Sequence, residues 1–270
     1  MITYDSPKHL NTKIFELLYS KRKKREKEKV SDITLLLQAI KAAEDEYWNE
    51  CGKGNFDYIS RVSVPPGLDK GVMVTLYTNQ FAKKGGSGKL YYDEVIEGKI
   101  CCYCGRHQAT QADHYKEKAK FPLLSVFPAN LLPSCGDCNQ ALRGVKHKFH
   151  GYFDNISTLD WLGAELCWGG DPEEIPDANF YVKSSFSEDA GLVGRVDCTF
   201  EKAGIGTLWA CELTQKIKLA RRILFRHGDL ESRESSIQDL KENNESNPFH
   251  DALFDAMLKS RWIRELPARK

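Results

Sequence analysis

The residues best suited to chemistry lie between positions 101 and 154. Cys101 and Cys104 form one C-x-x-C pair, and Cys135 and Cys138 form a second. Thiolates at that spacing share a tight turn and meet one ion, and four of them at about 2.3 Å suit tetrahedral Zn²⁺. Cys102 competes with Cys101 but lacks the x-x spacing to Cys104, and four cysteines leave the nearby His107 unneeded as a donor. The stretch between the pairs exceeds the roughly 15 to 20 residues of a simple zinc ribbon, so it must hold structure of its own. It contains a strand-like run, Ala109 to His114, ending in Asp113-His114, and then Asn130. Asn139 follows the second pair directly, at the start of a helix expected through Leu142. An Asp-His dipeptide alone says little, because a histidine among apolar residues is more often a hydrogen-bonded structural group.

The elements that must position these residues differ along the chain. Residues 1 to 50 read as helical: Leu10, Ile14, Leu17 and Leu18 recur at three- and four-residue spacing. Ser31-Asp32 resembles a cap opening a second helix towards Trp48. The charged run from Lys21 to Lys29 suits either a phosphate-binding arm or a solvated helix face. From Cys51 to Gly98 loop signals alternate with strand-like runs, Tyr58 to Val64 and Val72 to Tyr77. The Lys83 to Lys89 segment lacks the full phosphate-loop pattern and reads as a flexible loop with basic flanks. Further strand-like runs are Phe180 to Phe186 and Val193 to Phe200. An amphipathic helix follows with Leu213, Ile217, Ala220 and Leu224 on one face, and another opens at Pro248.

A chain of 270 residues that is 41% hydrophobic and 29% charged has the composition of a globular protein with a sizeable core, which excludes fibrous and disordered classes. No run approaches the roughly 20 apolar residues of a membrane helix, and no secretory signal is apparent. The expectation is therefore no membrane and a cytoplasmic, reducing compartment, where paired cysteines are metal ligands rather than disulfides. Cys51, Cys167, Cys198 and Cys211 read as small buried hydrophobes. The net charge of +1 conceals an uneven distribution. Residues 1 to 30 hold nine Lys/Arg against four Asp/Glu and residues 99 to 150 eight against three, so these segments carry +10 and the remainder −9. Local basicity of this kind suits phosphate binding.

The order of zinc pair, Asp113-His114, Asn130, zinc pair and Asn139 resembles the HNH (ββα-metal) endonuclease family in its four-cysteine form. The flanks are similar to those of the HNH subunit of Septu-type bacterial antiphage systems, which works beside an ATPase. They comprise Asp113-His114-Tyr115, Phe121-Pro122-Leu123, Val126-x-Pro128-x-Asn130-Leu131-x-Pro133 and His150-Gly151-Tyr152-Phe153-Asp154. The resemblance implies an α+β fold: a ββα nuclease core at 99–155 with a structural zinc, between a mainly helical region 1–98 and an α+β region 156–270 ending in helices. It implies catalytic roles for His114, as the base that takes a proton from water, and for Asn130, which orients His114 through its loop. It assigns Asp113 and Asn139 to a catalytic Mg²⁺ or Mn²⁺ ion, and Arg143, Lys146 and His150 to substrate binding. The implied function is metal-dependent hydrolysis of nucleic acid, DNA first, in antiphage defence with an ATPase partner. The alternatives are an RNA- or tRNA-cleaving effector and a non-catalytic zinc-stabilised module. Asn139 stands where many members have histidine, and Arg143 where lysine is common; Arg and Lys differ in reach and geometry.

Overall fold

The computed structural model describes residues 1–21, 33–61, 70–171, 174–243 and 247–267. The basic run beyond Lys21 and the expected Ser31-Asp32 cap lie outside the described residues. The protein is mixed α+β and divides into two compact units, Met1–Thr158 and Leu159–Lys270. The expected segments 1–98 and 99–155 thus fall together in the first unit. Among the described residues no helix is long and apolar enough to cross a membrane.

In the first unit, α1 (Asn11–Ser20) packs on α2 (Ile33–Gly52). Ile14, Phe15 and Leu18 of α1 and Leu36, Ile40, Ala43 and Tyr47 of α2 are all buried. Spacing of three and four residues puts these side chains on single helix faces, and burying each contributes about 1.5–3 kcal/mol. A short α3 (Lys70–Leu76) continues as a π-helical turn, Tyr77–Phe81. The expected strand at Val72 to Tyr77 is therefore helical. Val72, Met73 and Leu76 are all buried, a spacing of one and four that a helix satisfies and a period of two does not. The Lys83 to Lys89 segment is a packed turn, not a free loop. A Cβ at Gly86 would stand 2.2 Å from the Gln80 carbonyl oxygen, so only glycine fits there. α4 (Lys89–Ile96) follows and packs on the central hairpin.

That hairpin pairs β1 (Gln111–His114) antiparallel with β2 (Leu131–Ser134), with Asp113 opposite Leu132 and His114 opposite Leu131. α5 (Gly136–Ala141) leaves β2 at once and packs on β1. All four residues of β2 are buried. Its groups facing away from β1 have other partners: the Cys102 N–H donates to Pro133 O at 2.9 Å, and the Tyr152 hydroxyl donates to Leu131 O at 2.8 Å.

In the second unit, β3 (Leu162–Cys167) pairs antiparallel with β4 (Asp177–Val182). Then come α6 (Ala190–Lys202), α7 (Ile205–Leu224), α8 (Leu230–Glu242), α9 (Pro248–Lys259) and α10 (Trp262–Glu265). The expected strand at Val193 to Phe200 is helix α6. Leu192, Val196, Thr199 and Phe200 line its buried face, and Asp189 caps it by accepting from Gly191 and Leu192 N–H. α7 and α9 form as expected, with Phe249 of α9 stacked on Trp209 of α7 at 4.4 Å. Cys51 is buried as expected, but Cys198 is only half-buried, and Cys167 and Cys211 are exposed. The last two sit on the solvent sides of β3 and α7 and contribute nothing to the core.

Candidate functional site

The sulfurs of Cys101, Cys104, Cys135 and Cys138 lie within 4.8 Å of one another, and all four residues are buried. Sulfurs about 2.3 Å from one zinc stand ~3.8 Å apart, so the cluster fits a closed tetrahedral thiolate site. The two turns that carry them work alike. In the first, Gly105 at φ +65° donates its N–H to Cys101 O, and the His107 N–H donates to Cys104 Sγ at 3.5 Å. In the second, Cys135 caps α5 and its Sγ accepts the Cys138 N–H at 3.5 Å. Such N–H···S bonds favour the thiolate, the form that binds metal. The four thiols share their protons unevenly: their mutual hydrogen bonds push Cys104 down, and Cys101 with it, and push Cys135 and Cys138 up. Cys102 stays outside the cluster, and burial pushes its thiol up. His107 gives its backbone, not its ring, to the site.

β1 delivers Asp113 and His114 to the wall of a 620 Å³ cleft. The His114 Nε2 lies 2.9 Å from the Ser125 carbonyl oxygen. A carbonyl only accepts, so Nε2 carries the proton and Nδ1 keeps a lone pair. Burial lowers the imidazole pKa to about 3; the Ser125 bond opposes this and the positive charges of Lys118 and Lys148 reinforce it. The Tyr77 ring packs edge-on at 4.5 Å. His114 is thus a neutral base at neutral pH.

Asn130 does not touch the imidazole. Its Oδ1 accepts the Lys116 N–H at 2.7 Å, and its Nδ2 donates to Lys116 O at 3.0 Å and Leu124 O at 3.1 Å. Leu124 precedes Ser125, so Asn130 locks the loop that presents the histidine's acceptor. Asn130 thus acts on His114 only through that loop, as a positioning residue.

Asp113 is 8% exposed, and both of its hydrogen bonds fall on Oδ2. The Tyr103 hydroxyl donates at 2.6 Å and the Lys148 ammonium at 2.5 Å. Lys148 is itself 3% exposed and also donates to His114 O at 3.4 Å. Asn139, on α5, spends its Nδ2 on Gln111 Oε1, two residues before Asp113 on β1. Asp113 Oδ1 and Asn139 Oδ1 take no part in these bonds; Asp113 lines the cleft, whereas Asn139 is not among its lining residues.

The cleft also holds Arg143 and Lys146, exposed as phosphate contacts must be. With Arg61, Lys116, Lys118, Lys120 and Lys148 they make seven basic side chains against Asp57, Asp113 and Glu117. Burial pushes the Lys116 and Lys118 amines down, and Arg143 adds to the effect at Lys118. His147 faces Asp57 at 3.3 Å on the surface.

His150 is a correction. Its ring is fully buried, 4.3 Å from Tyr115 and stacked on Phe56. Nδ1 accepts the Tyr152 N–H at 3.2 Å, so Nε2 carries the proton and meets the Tyr47 hydroxyl at 2.8 Å. With both nitrogens used inside the core, it cannot contact substrate. Lys148 is the residue that sequence reasoning missed. Within Lys146-His147-Lys148 it looks like one more surface charge, and the signal that could have marked it is the apolar Phe149 beside it.

No protein-family model matches the chain, and no solved structure matches it. Among curated proteins it is similar to Protein ea31 of Escherichia phage lambda, 35% identical over 128 residues, 43% of this chain and 42% of that protein. The match thus spans about two fifths of each chain.

Proposed function

We propose that the cleft around His114 hydrolyses phosphodiester bonds of nucleic acid. The observation that carries this reading is a histidine held as a neutral base on the wall of a cleft with seven basic side chains. In this reading His114 Nδ1, unprotonated at neutral pH, takes the proton from the attacking water, and its low pKa makes it a weaker base than the near-neutral pKa at which that role works best. Arg143 and Lys146 hold the phosphates. Asp113 and Asn139 would hold Mg²⁺ or Mn²⁺, which when bound would neutralise charge on the phosphate and the departing oxygen. Zinc at the four cysteines would be structural, stapling β1, β2 and α5, a motif too small to have its own core. The assignment to the HNH endonucleases, and the role in antiphage defence beside an ATPase, rest on the resemblance of the motif and its flanks.

DNA is the first substrate to test. Zinc-loaded protein and its His114→Ala variant are incubated with duplex DNA, single-stranded DNA and tRNA in Mg²⁺ or Mn²⁺. Cleavage by the wild type that the variant loses supports the proposal, and the substrate cut decides between DNA and RNA. Equal cleavage by both proteins sinks it, and binding without cleavage under every condition favours a zinc-stabilised binding module.

A further inference from the structure

We propose that the cleft receives an unpaired nucleotide and that Tyr58, at its rim, stacks on a base of the same strand. The substrate is then a single strand, a loop or a bulge rather than a continuous duplex. This rests on the reading of the cleft as a phosphodiesterase site. Tyr58 is 75% exposed, more than any other large hydrophobic side chain among the described residues. A lone exposed aromatic is ordinary; what sets Tyr58 apart is where its turn lies and how firmly it is held. Asp57 and Ile59, the residues on either side of it, both line the cleft, as does Arg61. The Tyr58 N–H donates to Asn55 O at 3.0 Å, Phe56 is buried and stacked on His150, and Ile59 is buried. The Ser60 N–H and hydroxyl both donate to Glu46 Oε1. Asp57 meets His147 at 3.3 Å, which ties the turn to the segment carrying Lys146. The backbone that carries the ring is thus already ordered, and less freedom is lost when a base covers it.

The cleft supplies the rest. Its 620 Å³ lies within the range of pockets that enclose a whole small molecule. That suits a nucleotide withdrawn from its stack and exceeds what phosphates on the outside of a duplex require. Its wall also holds Phe121, half-buried, among Lys116, Lys118 and Lys120. Basic groups that follow a backbone, beside aromatic rings that take bases, are how proteins hold single strands. In a continuous duplex the faces of each base are covered by its neighbours and only phosphates and groove edges are offered, so an aromatic platform gains nothing there.

The test is oligonucleotide binding by zinc-loaded full-length protein in the His114→Ala background, read by fluorescence anisotropy. The probes are a DNA strand and an RNA strand of the same sequence, their blunt duplexes, and duplexes with a single bulged base. Strands and bulged duplexes should bind at least about tenfold more tightly than blunt duplexes, and the tighter of the DNA and RNA strands identifies the source of the nucleotide. Tyr58→Ala should melt as the wild type does and weaken strand binding by about 5- to 150-fold. It should leave blunt-duplex binding and the salt dependence unchanged, because stacking neutralises no phosphate. Tyr58→Trp should bind strands as the wild type does, and Tyr58→Leu should not. Blunt duplexes bound as tightly as strands, or a Tyr58→Ala protein that binds strands as the wild type does, overturns the proposal. The expected contrasts with no cleavage in any metal uphold the stacking role and count against the phosphodiesterase reading alone.

Discussion

The imidazole of His114 donates from Nε2 to the main-chain oxygen of Ser125, a residue eleven positions away that is itself fully buried. A base whose tautomer is set by a backbone group needs no carboxylate partner, and its proton affinity is governed by burial. The imidazole pKa is about 3 in the folded protein and near 6.5 in the unfolded chain, so it stays neutral through the physiological range. Cleavage by the wild type should show no acid limb attributable to His114 between pH 5 and 7. A kcat/KM profile that falls with an inflection near 6.5 would contradict this. The same shift has a stability sign. The stability it contributes is fully present above pH 6.5 and is lost as the pH falls towards 3, because only the unfolded chain takes the proton easily.

The cysteine cluster predicts one zinc per chain. Cys104→Ser or Cys138→Ser should lose the metal and unfold the first unit, since structural zinc sites supply about 10–16 kcal/mol of apparent binding energy to folding. Cys102→Ala should keep its zinc. Metal analysis of the purified variants with a melting curve for each checks both statements, and zinc loss in the Cys102 variant would show that the ligand set is wrong.

His150 and Arg143 should separate cleanly. His150→Leu leaves the Tyr152 N–H without its partner and removes one partner of the Tyr47 hydroxyl, which keeps the Ala129 carbonyl, and should cost about 1–3 kcal/mol of stability. The folded fraction should keep the wild-type kcat. Arg143→Ala and Lys146→Ala should leave the melting temperature unchanged, raise KM for nucleic acid, and each reduce the salt dependence of binding by about one phosphate contact. Urea titration and binding at two salt concentrations distinguish the two behaviours.

Glu44 offers a test of a buried charge far from any chemistry. It is fully buried on α2, and neither carboxylate oxygen has a hydrogen-bond partner of good geometry. Burial raises its pKa above the ordinary 4.5, against the weaker pull of Lys41 and the Thr12 and Asn11 N–H groups at the start of α1. The stability linked to this group is present below pH 4.5 and is lost as the pH rises through the raised value. Glu44→Met should therefore stabilise by about 1–3 kcal/mol at pH 8, with the gain shrinking as the pH falls towards 4.5. A gain independent of pH would remove this account.

How much of this was legible in the sequence depended on how local the signal is. The cysteine pairs were readable because a C-x-x-C turn fixes two sulfurs through four residues, and the cluster joins the four expected. Helices α1, α2, α7 and α9 were readable from apolar spacing. Val72 to Tyr77 and Val193 to Phe200 misled because β-branched and aromatic residues favour strands only as a weak prior, which burial of a helical face overrides. His150 and Lys148 were exchanged in effect. The histidine looked functional and belongs to the core, while the lysine looked solvated and pairs with Asp113. Both outcomes depend on Tyr47, Phe56 and Tyr103, residues distant in sequence that no local pattern connects to them.

The outer side of β2 leaves nothing for another strand to bind. The Leu131 N–H goes to Pro128 O and Pro133 has no N–H to offer, while both carbonyls are taken by Tyr152 and Cys102. An exposed strand edge is a common route both to recruitment by strand addition and to aggregation, and that route is closed along this edge. A protein adding a strand to this hairpin would have to use the β1 side, and the β2 amides should be among the last in the first unit to exchange with deuterium.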